Sequence, residues 1–380
     1  MVAHGVKGKG GEQGVNGPEL RTLNSFKYFN TAKYNMIVAY SSNGKLWNEF
    51  NKIKIPVIDF FVKSKYDFIS IINICKIIRK YNIDIIHTQG PGSLDFYATI
   101  SARITGTKII VTRPIMISDL KVPAWIRLLY KIMDKFTLRF AHRIVAVSKA
   151  GQRQLISKSN ASPEETILIY NGVDLSRFFD SNKSPKDSWG IPKDFPVVGA
   201  CAQLTHNKGW WDFFDAFAKL KNEIPEVRAL VMGDGPLRLD MEKHAVEIGI
   251  KDAVVFTGYL PNVEKALKCL DLLLFLSRRE GLSVAVIEAM ACGLPCVLSD
   301  VGGAREQVRN GVNGYVVPRG QTDKAADCAA FLLKNQDLRK KAGEASRKIC
   351  EELFDVKNMV KKYQDLYSDL AAQSSKEISS

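Results

Sequence analysis

The chain has 380 residues, 46% of them hydrophobic and 25% charged, so it is long enough for two domains and too hydrophobic to be disordered. It contains no apolar run of about 18 or more residues, which argues against a transmembrane helix. The net charge of +14 lies almost wholly in residues 1–180, which contain 26 Lys and Arg but only 13 Asp and Glu. This excess predicts an anionic partner, such as a membrane surface, a phosphorylated acceptor or nucleic acid.

Short β-rich runs alternate with helical patterns along the chain, which predicts parallel sheets with crossover helices. In the first half, the predicted strands are 36–39, 83–87, 108–112 and 143–147, and the predicted helices are 69–80 and 94–104. In the second half, the predicted strands are 197–199, 229–232, 254–256, 272–276 and 295–298. Such a fold usually begins with a full hydrophobic strand, but this chain begins with residues 1–4, which are too few for one. We therefore expect a short or truncated first strand.

The polar run 181–187 predicts a linker between two doubly wound domains, 1–180 and 181–355. The segment 356–380 contains an amphipathic helical pattern and ends in small polar residues. We expect its helix to pack back on the first domain.

The seven cysteines are scattered along the chain and odd in number, which is typical of free thiols in a reducing compartment. Cys292 and Cys296 lack the further His or Cys pair that a zinc site requires, so we expect no metal there. Residues 1–5 also lack the pattern of a secretory signal. These features predict a cytoplasmic protein.

Two glutamates flank the start of a predicted helix in the second half. Residues 278–283 follow an apolar strand, contain a glycine turn and precede the apolar helical pattern 284–290. Ligands of open α/β sheets bind at the carboxyl ends of strands, and a helix start favours a phosphate. Glutamates with this spacing are more often solvated surface residues, but this setting makes Glu280 and Glu288 candidates for binding a hydroxylated ligand.

Several motifs between residues 170 and 306 occur in the order typical of one enzyme family. They are 170–174 with Phe178, Lys208-Gly209, 233–236, 256–259, the run 280–295 and 301–303 with Glu306. The run 280–295 resembles the E-x7-E signature of the family 4 retaining glycosyltransferases, also called glycosyltransferase group 1. The resemblance implies the GT-B fold, in which two Rossmann-like domains face a central cleft.

The resemblance also implies roles for individual residues. Glu280, with the amides of Gly281 and Leu282, would contact the transferred sugar, and Glu288 would bind the ribose hydroxyls. Lys208 would neutralise the donor diphosphate. The remaining donor-binding candidates are Gln203, Gly233, Tyr259 near the base, Ser283, and Gly11, which would approach the diphosphate from the first domain. The glycines at 10–11 are equally consistent with a mobile loop.

Two positions depart from the family pattern. Gln203 stands where the family usually has an arginine, so Lys208 would carry more of the phosphate binding. Arg113 stands where many members have a histidine near the acceptor, and a guanidinium is no base at neutral pH, although it binds anions. His87 is the remaining histidine predicted at a strand's carboxyl end, where the alternative to a catalytic role is a structural one.

The implied reaction is front-face transfer with retention of the anomeric configuration, in which the leaving phosphate takes the acceptor proton. It requires no cofactor and no metal, because Lys208 and the helix dipole supply positive charge beside a UDP- or GDP-sugar co-substrate. Alternatives are a GT-B sugar-nucleotide 2-epimerase, a glycoside phosphorylase and a non-catalytic GT-B-like scaffold. A saccharide or lipid-linked acceptor of cell-surface polysaccharide or glycolipid synthesis is the expected second substrate.

The segment 123–143 combines a basic stripe with apolar and aromatic residues. The stripe consists of Arg127, Lys131, Lys135, Arg139 and Arg143. This pattern is typical of a helix at an anionic bilayer surface, and equally of a surface helix packed on the first sheet. It predicts peripheral attachment to the inner face of the plasma membrane, and no nucleic-acid-binding motif accompanies the charge.

Overall fold

The computed structural model describes residues 2–3, 17–42, 46–53, 55–64, 66–90, 92–114, 123–178 and 186–378. The chain forms two compact units, Met1–Asn171 with Val356–Ser380, and Gly172–Asp355. The first change of unit therefore occurs at Asn171, ahead of the linker expected at 181–187. Of that linker, 181–185 lie outside the described residues, and Lys186–Trp189 form a 3-10 helix. The C-terminal helix belongs to the first unit.

The first unit contains a parallel sheet whose strand order is β3-β2-β1-β4-β5-β6-β7. Its first strand is two residues long and pairs on one side with β2 and on the other with β4. The strands are β1 (Val2–Ala3), β2 (Val38–Tyr40), β3 (Val57–Asp59), β4 (Ile85–Gln89), β5 (Lys108–Arg113), β6 (Arg143–Ala146) and β7 (Thr166–Leu168). A first strand flanked by the second and fourth is the Rossmann arrangement, which puts the topological switch point between β1 and β4.

Helices cover both faces of this sheet. They are α1 (Gly17–Phe26), α2 (Trp47–Lys52), α3 (Ile69–Lys80), α4 (Ser93–Thr105), α5 (Ala124–Phe140), α6 (Lys149–Ser159) and α14 (Val356–Ile378). Successive residues of β5 point to opposite faces, so Ile110 packs in a cluster with α1 and α14, and Ile109 in a cluster with α3 and α4. Both faces are buried, which explains why the middle of β5, from Ile109 to Val111, is continuously apolar.

The second unit repeats this topology with the strand order β10-β9-β8-β11-β12-β13, again parallel. Its strands are β8 (Val197–Cys201), β9 (Arg228–Met232), β10 (Val254–Gly258), β11 (Leu272–Phe275), β12 (Cys296–Ser299) and β13 (Gly314–Val317). Its helices are α7 (Trp210–Glu223), α8 (Arg238–Glu247), α9 (Glu264–Leu267), α10 (Val284–Ala291), α11 (Ala304–Gln307), α12 (Thr322–Lys334) and α13 (Gln336–Leu353). Strands β8 and β11 pair, so their carboxyl ends meet at the switch point of this sheet.

Candidate active site

The turn that follows β11 is fixed to the loop that follows β8. The Arg278 backbone N–H donates to the Asn207 carbonyl at 3.0 Å. Beside it, the Ser277 hydroxyl donates to Glu280 Oε1 at 2.9 Å. The Arg278 guanidinium reaches across to α7, where it donates to both carboxylate oxygens of Asp212 at 2.7 and 3.1 Å. These contacts hold the Glu280 carboxylate over the carboxyl end of the sheet.

Lys208 lies directly against Glu280. Lys208 is the last residue of a short 3-10 helix, His206–Lys208. Its Nζ is 2.7 Å from Glu280 Oε1. Gly209 follows with φ +67°, and a Cβ there would collide with the Leu276 carbonyl. A glycine at this position is therefore what lets the lysine loop approach the end of β11.

A second glycine turn, at residues 302–303, packs against the turn that precedes α10. Ser283 caps the helix and accepts a hydrogen bond from the Val286 amide, while the Leu282 side chain is buried. The Gly303 N–H donates to the Gly281 carbonyl at 2.8 Å. Gly302 has φ +52°, and a Cβ on it would collide with the Glu280 carbonyl. The turn from Glu280 to Ser283 thus rests on residues 302–303.

Glu288 lies in α10, and 8% of its surface is exposed. Burial raises the pKa of its carboxyl group to about 7, against an ordinary 4.5. Arg177 lowers this pKa and Glu264 raises it. The guanidinium of Arg177 donates to Glu264 at 2.9 Å, so its charge is shared between two carboxylates. Neither Arg177 nor Glu264 was singled out from the sequence, although Arg177 lies beside the motif 170–174.

Cys201, at the end of β8, links several donor-site candidates electrostatically. The pKa of its thiol is raised to about 12, mainly by burial and also by the charge of Glu288, while the charge of Lys208 acts in the opposite direction. Burial and Cys201 together raise the pKa of Tyr259, which follows β10 and is half exposed. The thiol therefore interacts electrostatically with Lys208, Glu288 and Tyr259. Its strand-end position is the signal that sequence reasoning overlooked.

The loops after β8, β9 and β10 also pack on one another. Gly233 donates its N–H to the Gly258 carbonyl at 2.9 Å. Its φ is +137°, and a Cβ at this position would collide with the Ala202 carbonyl. The Gln203 carbonyl accepts a hydrogen bond from the Trp210 indole at 2.9 Å. The backbone at Gly233 and Gln203 thereby shapes the edge at which Lys208 lies.

The structure places His87 in the interior of β4, so its prediction at a carboxyl end of a strand was wrong. The strand continues through Thr88 to Gln89, two polar residues that an apolar pattern does not reveal. The imidazole is buried, with Nδ1 2.7 Å from the Tyr367 hydroxyl and Nε2 2.7 Å from Thr112 Oγ1. Both ring nitrogens have partners within the first unit, which favours a structural role.

Arg113, the last residue of β5, is also buried. Its guanidinium forms ion pairs with Asp95 and, at 2.7 Å, with Asp134, and it donates to the Gly90 carbonyl at 3.2 Å. Burial lowers the pKa of Arg113, while Asp134 raises it. Because two carboxylates already compensate this cation, the geometry favours a structural role over the binding of an external anion.

The second unit contains nine of the ten predicted donor-binding residues. They are Lys208, Gln203, Gly233, Tyr259, Glu280, Gly281, Leu282, Ser283 and Glu288. His87 and Arg113 belong to the first unit, and Gly11 lies outside the described residues.

Two family models match the chain, one on each half. Residues 181–349 match the model described as "Glycosyl transferases group 1". Residues 15–177 match the model described as "Glycosyltransferase Family 4". Together these matches cover β2 to β7 of the first sheet, the whole second sheet and all the donor-site candidates except Gly11.

Individual relatives agree with the models. The N-acetyl-alpha-D-glucosaminyl L-malate synthase of Bacillus anthracis is 27% identical over 325 residues, 84% of each chain. The UDP-Gal:alpha-D-GlcNAc-diphosphoundecaprenol alpha-1,3-galactosyltransferase of Escherichia coli is 24% identical over 312 residues, 80% of each chain. Among solved structures, Anabaena Alr3699/HepE in complex with UDP-glucose superposes with a TM-score of 0.81 at 21% identity, covering 97% of this chain and 98% of that one.

The structural likeness confirms the predicted α/β architecture of two Rossmann-like sheets as the GT-B fold. The models and relatives are glycosyltransferases by name, which confirms the activity predicted from the motifs. The chain therefore belongs to the family 4, or group 1, glycosyltransferases.

Proposed function

We propose that this enzyme transfers a sugar from a UDP-sugar to a lipid-linked saccharide with retention of the anomeric configuration. The observation that carries the proposal is the contact of Lys208 with Glu280 at the carboxyl end of β11, beside the start of α10. A cation, a carboxylate and a helix N-terminus at one strand end supply what a sugar diphosphate requires. The cation and helix attract the phosphates, and the carboxylate accepts hydrogen bonds from sugar hydroxyls.

Donor binding changes the partners of Lys208. Its ammonium group pairs with Glu280 at 2.7 Å, and both side chains are largely buried. An incoming diphosphate competes for the ammonium group, which frees a carboxylate oxygen of Glu280 for the sugar. The same exchange stabilises the negative charge that develops on the leaving phosphate.

Glu288 and Tyr259 belong to the nucleoside end of this site. Glu288 accepts hydrogen bonds from the ribose hydroxyls, and Tyr259 lies against the base. The charge of Glu288 raises the pKa of Cys201, and Cys201 raises the pKa of Tyr259, which supports a place for both groups near the end of β8.

The reaction proceeds on one face of the sugar. The bond from the anomeric carbon to the diphosphate breaks, the acceptor oxygen forms the new glycosidic bond, and the leaving phosphate oxygen takes the acceptor proton. The protein positions the two substrates and excludes water, which removes much of the entropic barrier. Glu280 and Glu288 bind the donor and do not attack it. No metal is needed in this proposal, since Lys208 and the α10 dipole carry the positive charge.

Substrate classes are proposed from the relatives together with the charge of the first unit. UDP is favoured over GDP because the Escherichia coli relative is named for UDP-Gal and the Anabaena structure holds UDP-glucose. A lipid-linked acceptor is favoured because that same relative is named for a diphosphoundecaprenol substrate and because α5 has a basic, apolar surface. The Bacillus anthracis relative is named for L-malate, so malate belongs in any acceptor screen.

Helix α5 supports peripheral attachment of a cytoplasmic enzyme to the inner face of the plasma membrane. Its side chains Trp125, Leu128 and Ile132 are each about 60% exposed, interleaved with exposed lysines and arginines. The helix ends at Phe140, so Arg143 of the predicted stripe belongs to β6. None of the helices in the described ranges combines the length and apolar content that crossing a bilayer requires.

The experiment is a screen of UDP- and GDP-sugars against lipid-linked saccharides, with nucleotide release and product formation both measured. We expect acceptor-dependent release of UDP, resistance to chelators, and an anomeric configuration in the product that matches the donor. Nucleotide-sugar binding without turnover would indicate the scaffold, and acceptor-independent conversion of the donor would indicate the epimerase. Release from a saccharide by inorganic phosphate would indicate the phosphorylase.

A further inference from the structure

A second exposed apolar group lies on the first unit, at the start of α3. Phe68, Ile69 and Ile72 are 61, 67 and 56% exposed. Full burial of such side chains contributes more to the free energy of a contact than any single surface ion pair does. The other face of α3, with Ile74 and Ile78, packs into the core, so more than half of the surface of each of these three side chains lies outside that core.

Helix α4 connects this group to the exposed apolar side chains of α5. The buried ring of Tyr97 in α4 lies 5.8 Å from the ring of Phe68. Tyr130 of α5 is close enough to Tyr97 to raise the pKa of its hydroxyl, although burial and Asp67 contribute more. The phenyl rings of Phe96 in α4 and Phe136 in α5 are 5.3 Å apart. The start of α3 and the C-terminal half of α5 thus both contact α4, and the three helices lie on one face of the sheet.

The charge on these three helices has one sign at the surface. Within the fully described helices α3, α4 and α5, the cations are all exposed: Lys76, Arg79, Lys80, Arg103, Arg127, Lys131, Lys135 and Arg139. The carboxylates of the same helices are Asp95 and Asp134, both buried against Arg113. Asp67, just before α3, accepts hydrogen bonds from the Ser70 hydroxyl and the Lys63 amide at 2.9 Å.

We propose that α3 and α5 form one membrane-binding surface with two apolar anchors, and that its partner is a bilayer containing anionic lipid. The inference rests on the proposed function and extends the contact from α5 to α3. The first anchor is Phe68, Ile69 and Ile72; the second is Trp125, Leu128 and Ile132. Apolar side chains enter the boundary between headgroups and acyl chains, while the surrounding cations bind anionic headgroups.

The surface also has an orientation. Both anchors lie toward the N-terminal ends of their helices, and helices of parallel α/β units begin at the carboxyl edge of the sheet. The basic residues Lys76, Arg79 and Lys80 continue along α3 away from that edge. Two anchors in place of one fix the tilt of the unit, so the carboxyl edge of its sheet faces the headgroups, where a lipid-linked acceptor presents its saccharide.

The test is flotation with vesicles of phosphatidylcholine, with or without phosphatidylglycerol. The α3 variant is Ile69→Ser with Ile72→Ser, and the α5 variant is Leu128→Ser with Ile132→Ser. The matched control, Leu239→Ser with Val246→Ser, removes similarly exposed apolar side chains from α8 of the other unit. We expect each anchor variant to bind anionic vesicles about tenfold or more weakly, and the control to bind like the wild type. We also expect salt to weaken the binding of the wild type to these vesicles.

A direct probe guards against misfolded variants. Phe68→Trp in a Trp125→Phe background places an indole on the α3 anchor, and we expect brominated lipid to quench its emission in vesicles beyond the quenching seen in Trp125→Phe alone. An unquenched indole, or an α3 variant that binds like the wild type, would overturn the two-anchor surface. So would equal binding to neutral vesicles, or self-association that the anchor substitutions abolish. Each of these results leaves nucleotide release with a detergent-solubilised acceptor intact, so the transferase proposal is judged separately.

Discussion

Lys208 and Glu280, which are 72 residues apart in the chain, lie in contact, with Nζ 2.7 Å from Oε1. The pair exists because β8 and β11 are neighbours in the sheet and because Gly209 lets the lysine loop touch the end of β11. It places the proposed phosphate-binding cation beside the proposed sugar-binding carboxylate.

Replacing Lys208 with Met should lower kcat/KM for the donor by about 10²- to 10³-fold, the usual effect of removing one group that stabilises a developing anion. The readout is the initial rate of UDP release at varied donor concentration. Lys334→Met is the control, because Lys334 forms an exposed ion pair with Glu223 on the same unit. A loss for Lys208→Met no greater than for the control would remove the lysine from the site.

Replacing Gly302 with Ala should displace the Glu280 carbonyl and lower transfer by at least about tenfold. Gly311→Ala is the matched control, since Gly311 also has a positive φ, +74°, but has open space where the Cβ would go. Both substitutions introduce similar backbone strain. Only the collision at Gly302 acts on the site, so equal activities in the two variants would contradict the support described for the turn at 280.

The raised pKa of Glu288 predicts that kcat/KM for the donor decreases at acidic pH. Its carboxyl group has a pKa of about 7, and the ionised form is the better acceptor of ribose hydrogen bonds. We therefore expect kcat/KM for the donor to fall about tenfold per pH unit below pH 7 and to level off above it. Glu288→Gln should lower the plateau and flatten this decrease; an unchanged decrease in that variant would assign it to another group.

The same carboxyl group predicts that the stability of the fold changes with pH in the opposite direction to the activity. The pKa of Glu288 is raised from 4.5 to about 7 in the folded protein, so between these values the folded state binds more protons and stability falls as pH rises. Glu288→Gln removes this loss, so relative to the wild type it should gain up to about 3 kcal/mol at pH 8 and little near pH 4.5. Thermal unfolding across this pH range measures the difference, and a constant difference would contradict it.

Arg113→Met should destabilise the first unit by about 3–5 kcal/mol, because it leaves Asp95 and Asp134 buried without their cation. Arg305→Met is the control; its exposed pair with Asp300 should contribute about 1 kcal/mol or less. Hydrogen exchange of the β5 amides reports the effect on that unit alone. Similar protection in the two variants would mean that Arg113 is not the structural residue described here.

Strong periodicity in the sequence predicts the long elements of this fold, and short ones escape it. Helix α3 has its predicted bounds, because its apolar residues recur on one face throughout. Strands β3 and β7, each three residues long, were not predicted, whereas β1, two residues long, is the short first strand expected at residues 1–4. Strand β4 extends past His87 because Gln89 still pairs with Thr112 in the sheet, and backbone pairing is independent of side-chain polarity.

The candidate site shows the same division. The glycine turns and glutamates are local motifs, so the sequence places Glu280 and Ser283 at a strand-to-helix turn. The ion pair of Arg177 with Glu264 and the position of Cys201 depend on which loops the sheet brings together, and no local pattern encodes that. The burial of Arg113 likewise depends on Asp95 and Asp134, which come from two different helices.

The proposed binding of the transferred sugar by Glu280 is tested by two assays on Glu280→Gln. We predict that transfer from the preferred UDP-sugar falls by about 10²-fold or more, while the affinity for UDP, measured by calorimetry, stays within about threefold of the wild type. This combination is expected because UDP lacks the sugar that the carboxylate contacts. Full transfer activity in Glu280→Gln would contradict the proposed binding.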